Sequence, residues 1–208
     1  MTTSRLPLFP LPNVVLFPGV YLPLHIFEPR YRAMVADALK SDREIGMVLL
    51  KPGYEAEYEG RPPVYPVGCS GLITHAEPLP DGRYNIILQG IDRFRLIDED
   101  ASRPYRIGIV ERLVDSGPLD GGRVRALRQR LEALIAPMLE QAARELTVPP
   151  SMSDADLIHA LAQYMEFDPL EKQALLEIDG LLARADALVD LIEMKELAMR
   201  GPRGGGWH

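Results

Sequence analysis

The chain has 208 residues, 47% of them hydrophobic and 25% charged, a balance that fits a globular protein and is too apolar for a disordered one. Its formal net charge of −7 opposes a general polyanion-binding role, because neutralising phosphates requires clustered Lys and Arg. The lone Cys69 excludes an internal disulfide framework, and no stretch approaches the roughly 18 uninterrupted apolar residues of a membrane span.

The first predicted elements lie in Leu6–Tyr31, which reads LPLFPLPNVVLFPGVYLPLHIFEPRY. Two apolar runs, Val14–Phe17 and Tyr21–Ile26, flank Pro18-Gly19, a turn signal because Pro presets φ and Gly supplies positive φ. Little of this payload alternates with polar residues, so both runs are expected to be extended and buried on both faces. Pro7, Pro10, Pro12, Pro18 and Pro23 lack ladder donors, so strands here should be short, irregular or at an edge. Glu28-Pro29 opens a helix, and Tyr31, Met34, Val35, Ala38 and Leu39 give its apolar face.

Ile45–Leu50 predicts the next strand, followed by a polar loop, Lys51–Pro63, in which Tyr54 and Tyr58 either prop the loop or stack on a ligand. Tyr65–Ala76 is a strand whose Gly68 and Gly71 mark a bulge or tight bend. Pro80-Asp81-Gly82 is a hairpin turn, and Tyr84–Gln89 returns from it. Gly90 is expected to break that strand, Arg93–Ile97 to resume it, and Asp98–Asp100 to form an acidic loop. Tyr105–Leu113 closes the series as a half-buried strand. About six short strands with one early helix suggest a small, strongly bent barrel over residues 1–115.

Ser116–Gly122 is rich in Gly, Pro and Asp and reads as a linker, 116–122. A helical lobe, 123–200, follows. Its first helix carries Val124, Leu127, Leu131, Leu134 and Ile135 on one face, and Pro137 should kink or divide it. After Pro149-Pro150, Ser153 can cap a helix bearing Leu157, Ile158 and Leu161. Asp168-Pro169-Leu170-Glu171 sets cap, first-turn proline and acid in register. Asp179-Gly180 separates that helix from a last one, and 201–208 is a flexible tail that leaves Trp207 in solvent.

Motifs for chemistry are missing. There is no Gly-x-x-x-x-Gly-Lys-Ser/Thr cradle for phosphates, no His-Glu-x-x-His and no paired-Cys spacing. His25 reads as a hydrogen-bonded structural residue and Cys69 as a small core residue. Glu28, Arg30 and Arg93 form the one charged constellation of note. Glu28 and Arg93 could tie the helix start to the strands, or all three could line a peptide groove.

The opening run resembles the start of the Lon protease N-terminal domain, through Leu8, Pro10, Leu11, Val15, Pro18, Gly19, Pro23, Leu24, Phe27, Glu28, Arg30 and Tyr31. Gly90-Ile91-Asp92-Arg93-Phe94-Arg95 resembles the glycine–x–x–Arg–Phe hinge of the same family, and Lys172–Glu177 with Arg184 resembles its late helices. The resemblance implies an α+β fold, in which a pseudo-barrel of the PUA-like kind precedes a helical bundle. It is closest to the free-standing form, without ATPase or peptidase modules. A protease of this family would need a Ser–Lys dyad, and none of Lys40, Lys51, Lys172 or Lys195 has a matching context. The implied function is non-enzymatic and needs no cofactor or metal: an ATP-independent module binding unfolded polypeptide or a protein partner. A cytoplasmic location is expected from the proline-broken opening run, which lacks a signal-peptide pattern, and from the lack of a membrane-spanning run.

The family-motif positions carried over as candidate binding residues, each with a structural role as its alternative, are Pro18, Gly19, Phe27, Glu28, Arg30, Tyr31, Gly90, Arg93 and Phe94. The expected mechanism is burial of apolar side chains in a groove between the lobes, aided by main-chain pairing at an open sheet edge. The alternative is a PUA-like RNA- or small-molecule-binding protein, with Arg83, Arg93, Arg95 and Arg106 as the basic cluster RNA would need. A homodimer through exposed apolar surface would compete with a peptide site.

Overall fold

The structure is a computed structural model that describes residues 3–54, 60–115, 121–141 and 151–200. These form a mixed α+β arrangement with a six-stranded sheet and five helices among the described residues. Two compact units are present: residues 1–114 with 159–177, and residues 115–158 with 178–208. No helix among the described residues is long and apolar enough to cross a membrane. The expected tail at 201–208, the linker residues 116–120, Tyr58 and Pro149-Pro150 lie outside the described residues.

The first unit holds strands β1 (Thr3–Leu11), β2 (Tyr21–Ile26), β3 (Glu44–Leu49), β4 (Val67–Pro78), β5 (Tyr84–Asp100) and β6 (Arg106–Arg112), with helix α1 (Pro29–Ala38) after β2. The sheet order is β2-β5-β4-β3-β1-β6, and β6 also pairs with β5. Five strands therefore close a ring of pairings, and β2 lies outside it on the first half of β5. The main core gathers Phe9, Leu16, Met34, Met47 and Leu88 around the α1 face, with Tyr31 against Phe9 at 4.4 Å between ring centroids. A smaller cluster joins Leu6, Leu8, Val48, Phe94 and Val110.

Several expectations are corrected here. The first strand is Thr3–Leu11, while Val14–Phe17 is irregular, with Val15, Leu16 and Phe17 buried. Despite Pro7 and Pro10, β1 is an interior strand of nine residues. The prolines fit because Thr3–Leu8 pairs only with β6 and Leu8–Leu11 only with β3, overlapping at Leu8. Each proline thus sits where a donor is needed on one side at most. In contrast, β2 is an end strand whose Tyr21, Pro23 and His25 are exposed, so it is not buried on both faces.

Gly90 does not break β5, and Asp98–Asp100 is strand rather than loop. The strand continues but changes partner: Tyr84–Gln89 pairs with β2, and Phe94–Asp100 pairs with β6. The bulge predicted near Gly71 is present as a register shift between Cys69 and Gly71. Cys69 is buried, as expected of a small core residue.

Helix α2 (Gly121–Gln141) runs through Pro137 without division and buries Val124, Leu127, Leu131 and Ile135. Helix α5 (Leu181–Arg200) buries Ala185, Leu188, Val189 and Ile192. Arg123 meets Asp186, and Arg130, seven residues on, meets Glu193, so the two helices run in the same sense. Arg184, fully buried, binds Asp115 through both carboxylate oxygens and also donates to the Ile178 carbonyl, which closes the start of α5.

Helix α3 (Asp154–Tyr164) starts at Ser153, whose Oγ accepts the Asp156 N–H at 3.1 Å, as its cap position predicts. Helix α4 is Pro169–Glu177. The stretch 159–177 groups with the strands of the first unit, where the sequence places it in the helical lobe. Polar side chains account for this. Gln163 accepts the Phe17 N–H at 3.2 Å, Gln173 donates to the Val67 carbonyl at 2.9 Å, and Arg93 donates to the Leu176 carbonyl at 2.9 Å. Each partner lies far away in sequence, and no local pattern announces it.

Candidate functional site

The first unit contains a cavity of about 600 Å³ built from the ends of five elements. The parallel pairing of Leu11 with Leu49 brings the end of β1 beside the end of β3, and the Leu50 N–H donates to the Leu11 carbonyl at 3.0 Å. Pro12 and the run Leu50–Tyr54 therefore share one wall. Phe27 and Glu28, between β2 and α1, form a second, and Asp168–Glu171, opening α4, a third. Apolar groups dominate: Pro12, Phe27, Leu50, Pro52, Tyr54 and Leu170. Phe27 is 59% exposed and Leu170 49%, so the lining presents apolar surface to solvent.

Phe27 continues the outward face of β2, on which Tyr21, Pro23 and His25 are exposed. Its ring stacks on His25 with centroids 6.3 Å apart. The His25 Nδ1 lies 2.8 Å from the Asn85 Oδ1, and its Nε2 lies 3.3 Å from an Arg83 guanidinium nitrogen. Arg83 is itself held by Asp81 at 2.6 Å, and that pairing keeps the Asp81 carboxyl below the usual range. His25 thus fills the structural role expected of it, at the surface, and holds Phe27 beside the cavity.

The α4 wall is fixed by its own cap, with the Asp168 N–H donating to Glu171 at 2.7 Å. Lys172 next to it points elsewhere: its ammonium donates to the Gln163 carbonyl at 2.5 Å, and burial lowers its pKa. Charged groups on the lining are Glu28, Asp168, Glu171 and Lys51. Such a site can take up an apolar side chain and meet polar or charged groups around it.

Of the nine predicted binding positions, Phe27 and Glu28 line the cavity. Pro18 and Gly19 form a turn clasped on Gly90, with Gly19 N–H donating to the Gly90 carbonyl and Gly90 N–H to the Val20 carbonyl, each at 2.8 Å. Gly19 has φ of 75°. Tyr31 and Phe94 are in the two cores. Arg30 pairs with Glu28 at 3.0 Å, and its guanidinium lies 4.6 Å from the Tyr31 ring centre. Glu28 pairs with Arg30, and Arg93 donates to the Leu176 carbonyl.

Pro12, Leu50, Pro52 and Leu170 were not legible as site residues. They look like ordinary core or turn residues, and only the strand pairing and the α4 packing bring them together. Tyr54, weighed between loop support and ligand stacking, lines the cavity.

The four arginines an RNA ligand would need do not make an exposed patch. Arg93 and Arg106 are buried, Arg106 being held by Glu99 and the Pro62 carbonyl, and Arg83 is paired with Asp81. Among the described residues no group of three His, Cys, Asp or Glu could hold a metal ion.

Residues 5–194 match the family described as the ATP-dependent protease La (LON) substrate-binding domain. Lon protease of Cytophaga hutchinsonii is 29% identical over 208 residues, covering 94% of this chain and 25% of that protein. Lon protease 2 of Myxococcus xanthus is 31% identical over 196 residues, covering 91% and 24%. The chain therefore spans about a quarter of the length of these curated relatives. Among solved structures, the Lon N-terminal domain protein from Xanthomonas campestris superposes with a TM-score of 0.60 at 24% identity, covering 90% of this chain and 98% of that one. The N-terminal domain of Mycobacterium avium complex Lon protease gives 0.66 at 17% identity, covering 91% and 98%. At these identities the two structures bear on the fold.

Proposed function

Because the chain belongs to the Lon substrate-binding domain family, we propose that it is a substrate-recognition module that binds polypeptide and catalyses no reaction of its own. One observation carries this reading. Phe27, in a family-motif position, is held exposed on His25 at the edge of an apolar cavity of about 600 Å³. An exposed apolar surface of this kind binds by burying a partner's side chains. We read the closed ring of strands as a PUA-like pseudo-barrel that fixes three walls of the cavity on the ends of regular elements.

Side chains, rather than main-chain pairing, dominate this recognition. The free edge belongs to β2, where Pro23 has no N–H to offer and the Tyr21 carbonyl already accepts the Tyr164 hydroxyl at 3.0 Å. Small-molecule binding is the second reading, favoured by the cavity volume, which lies within the range of ligand sites.

The test is photocrosslinking from a photoreactive amino acid placed at Phe27, with the same residue at exposed Ile97, outside the cavity lining, as control. An unfolded polypeptide and an RNA are offered side by side. We expect polypeptide adducts from position 27 and not from 97, tolerant of moderate salt. Salt-sensitive RNA adducts without polypeptide adducts would overturn the reading. Adducts between two copies of the chain alone would replace it with homodimerisation.

A further inference from the structure

We infer that the polypeptide bound here lies extended along β2 and carries two bulky apolar side chains six residues apart, one for the cavity and one for a second contact at Tyr164. The inference rests on the polypeptide-binding reading above and narrows the class of segment it takes. Exposed rings are unevenly placed on the molecule. Among the described residues the exposed Phe and Tyr side chains are Tyr21, Phe27, Tyr54 and Tyr164. Phe27 and Tyr54 line the cavity just past the end of β2, and Tyr21 begins the same strand. Tyr164, 67% exposed, joins Tyr21 there, because its hydroxyl donates to the Tyr21 carbonyl at 3.0 Å.

Each end of the strand therefore presents an exposed aromatic ring that is already held, Tyr164 by that hydrogen bond and Phe27 by the His25 ring. A held ring loses little further freedom when a partner covers it, and aromatic rings are favoured anchors of recognition. Strand geometry sets the spacing. Tyr21, Pro23, His25 and Phe27 share the outward face, so the two ends stand six residues, or about 20 Å, apart. An extended partner covers that span with six residues of its own, and an even number returns its second side chain to the same face. A helical partner would need about thirteen residues for the same reach. Between the two ends His25, Asn85 and Arg83 make the surface polar, so the partner's intervening residues need not be apolar.

The experiment uses the full chain and labelled peptides of Ser, Gln and Asn that carry either one Leu or two Leu spaced by three, five or six residues. Binding is followed by fluorescence anisotropy. The six-spaced peptide should bind about tenfold tighter than the single-Leu peptide. Spacings of three, which is too short, and five, which points the second Leu to the other face, should bind like the single-Leu peptide. Tyr164→Ser should erase the advantage of the six-spaced peptide. A photoreactive group at the second anchor of that peptide should label Tyr21 or Tyr164.

Equal binding of all the two-Leu peptides, or labelling confined to the cavity, overturns the second contact and leaves polypeptide recognition standing. Sedimentation of the chain as a dimer whose formation hides Tyr21 and Tyr164 from the probe overturns it too and gives this face to a second copy. Binding of none of the peptides overturns the polypeptide-recognition reading, and this inference falls with it.

Discussion

Gly90 is the point where the Pro18-Gly19 turn docks on β5, and a Cβ there would overlap the Phe17 carbonyl. The obstacle is backbone, which cannot swing aside as a side-chain tip would. Gly90→Ala should lower the unfolding free energy by about 2 kcal/mol or more, read by urea denaturation. A loss below about 0.5 kcal/mol would show that the turn relaxes freely. Glu44 gives a pH-dependent case. Partial burial, then the nearby Asp42 and Asp92 carboxylates, raise its pKa above the ordinary 4.5, with Arg112 opposing. The folded state therefore holds this proton more tightly than the unfolded one. The resulting stability is present below the unfolded pKa and is lost as pH rises through the folded value. Glu44→Gln should accordingly be more stable than the parent at neutral pH, with the advantage vanishing on acidification below about pH 4.5, as urea titrations at both pH values would show. An advantage that persists in acid would mean the gain has another origin.

Elements here are shared between distant parts of the chain. One strand, β5, serves β2 with its first half and β6 with its second, and β1 divides its two partners in the same way. The α3–α4 region supplies side chains that satisfy backbone groups at Phe17 and Val67, and a carbonyl that binds the buried Arg93 guanidinium. A chain of residues 1–115 alone, which looks self-sufficient as a set of strands, would lose all three bonds. Each such bond is worth about 1 kcal/mol, and the one to the charged guanidinium up to about 3 kcal/mol. We expect that fragment to melt well below the full chain by circular dichroism. Equal melting temperatures would mean the helices merely rest on the strands.

For the whole molecule, some of the site was legible because its signals are local. Glu28-Pro29 and Asp168–Glu171 announce helix starts by cap chemistry, and both starts now border the cavity. The alternation Tyr21, Pro23, His25, Phe27 on the outward side of β2 was hidden because the intervening positions are apolar as well. By itself the sequence determined the α+β composition, the family, the turn at Pro18-Gly19 and the absence of phosphate-loop or zinc-type motifs. Those follow from residue types at short spacing, where backbone preference and periodicity act. Tertiary structure alone decided that Gly90 is a docking point within a continuous strand, that Arg93 binds a helix carbonyl, and that Pro12, Phe27, Leu50 and Leu170 enclose one cavity. Those depend on which buried donors and apolar faces remain unsatisfied after local structure forms, and their partners lie tens of residues away, beyond the range of any local periodicity.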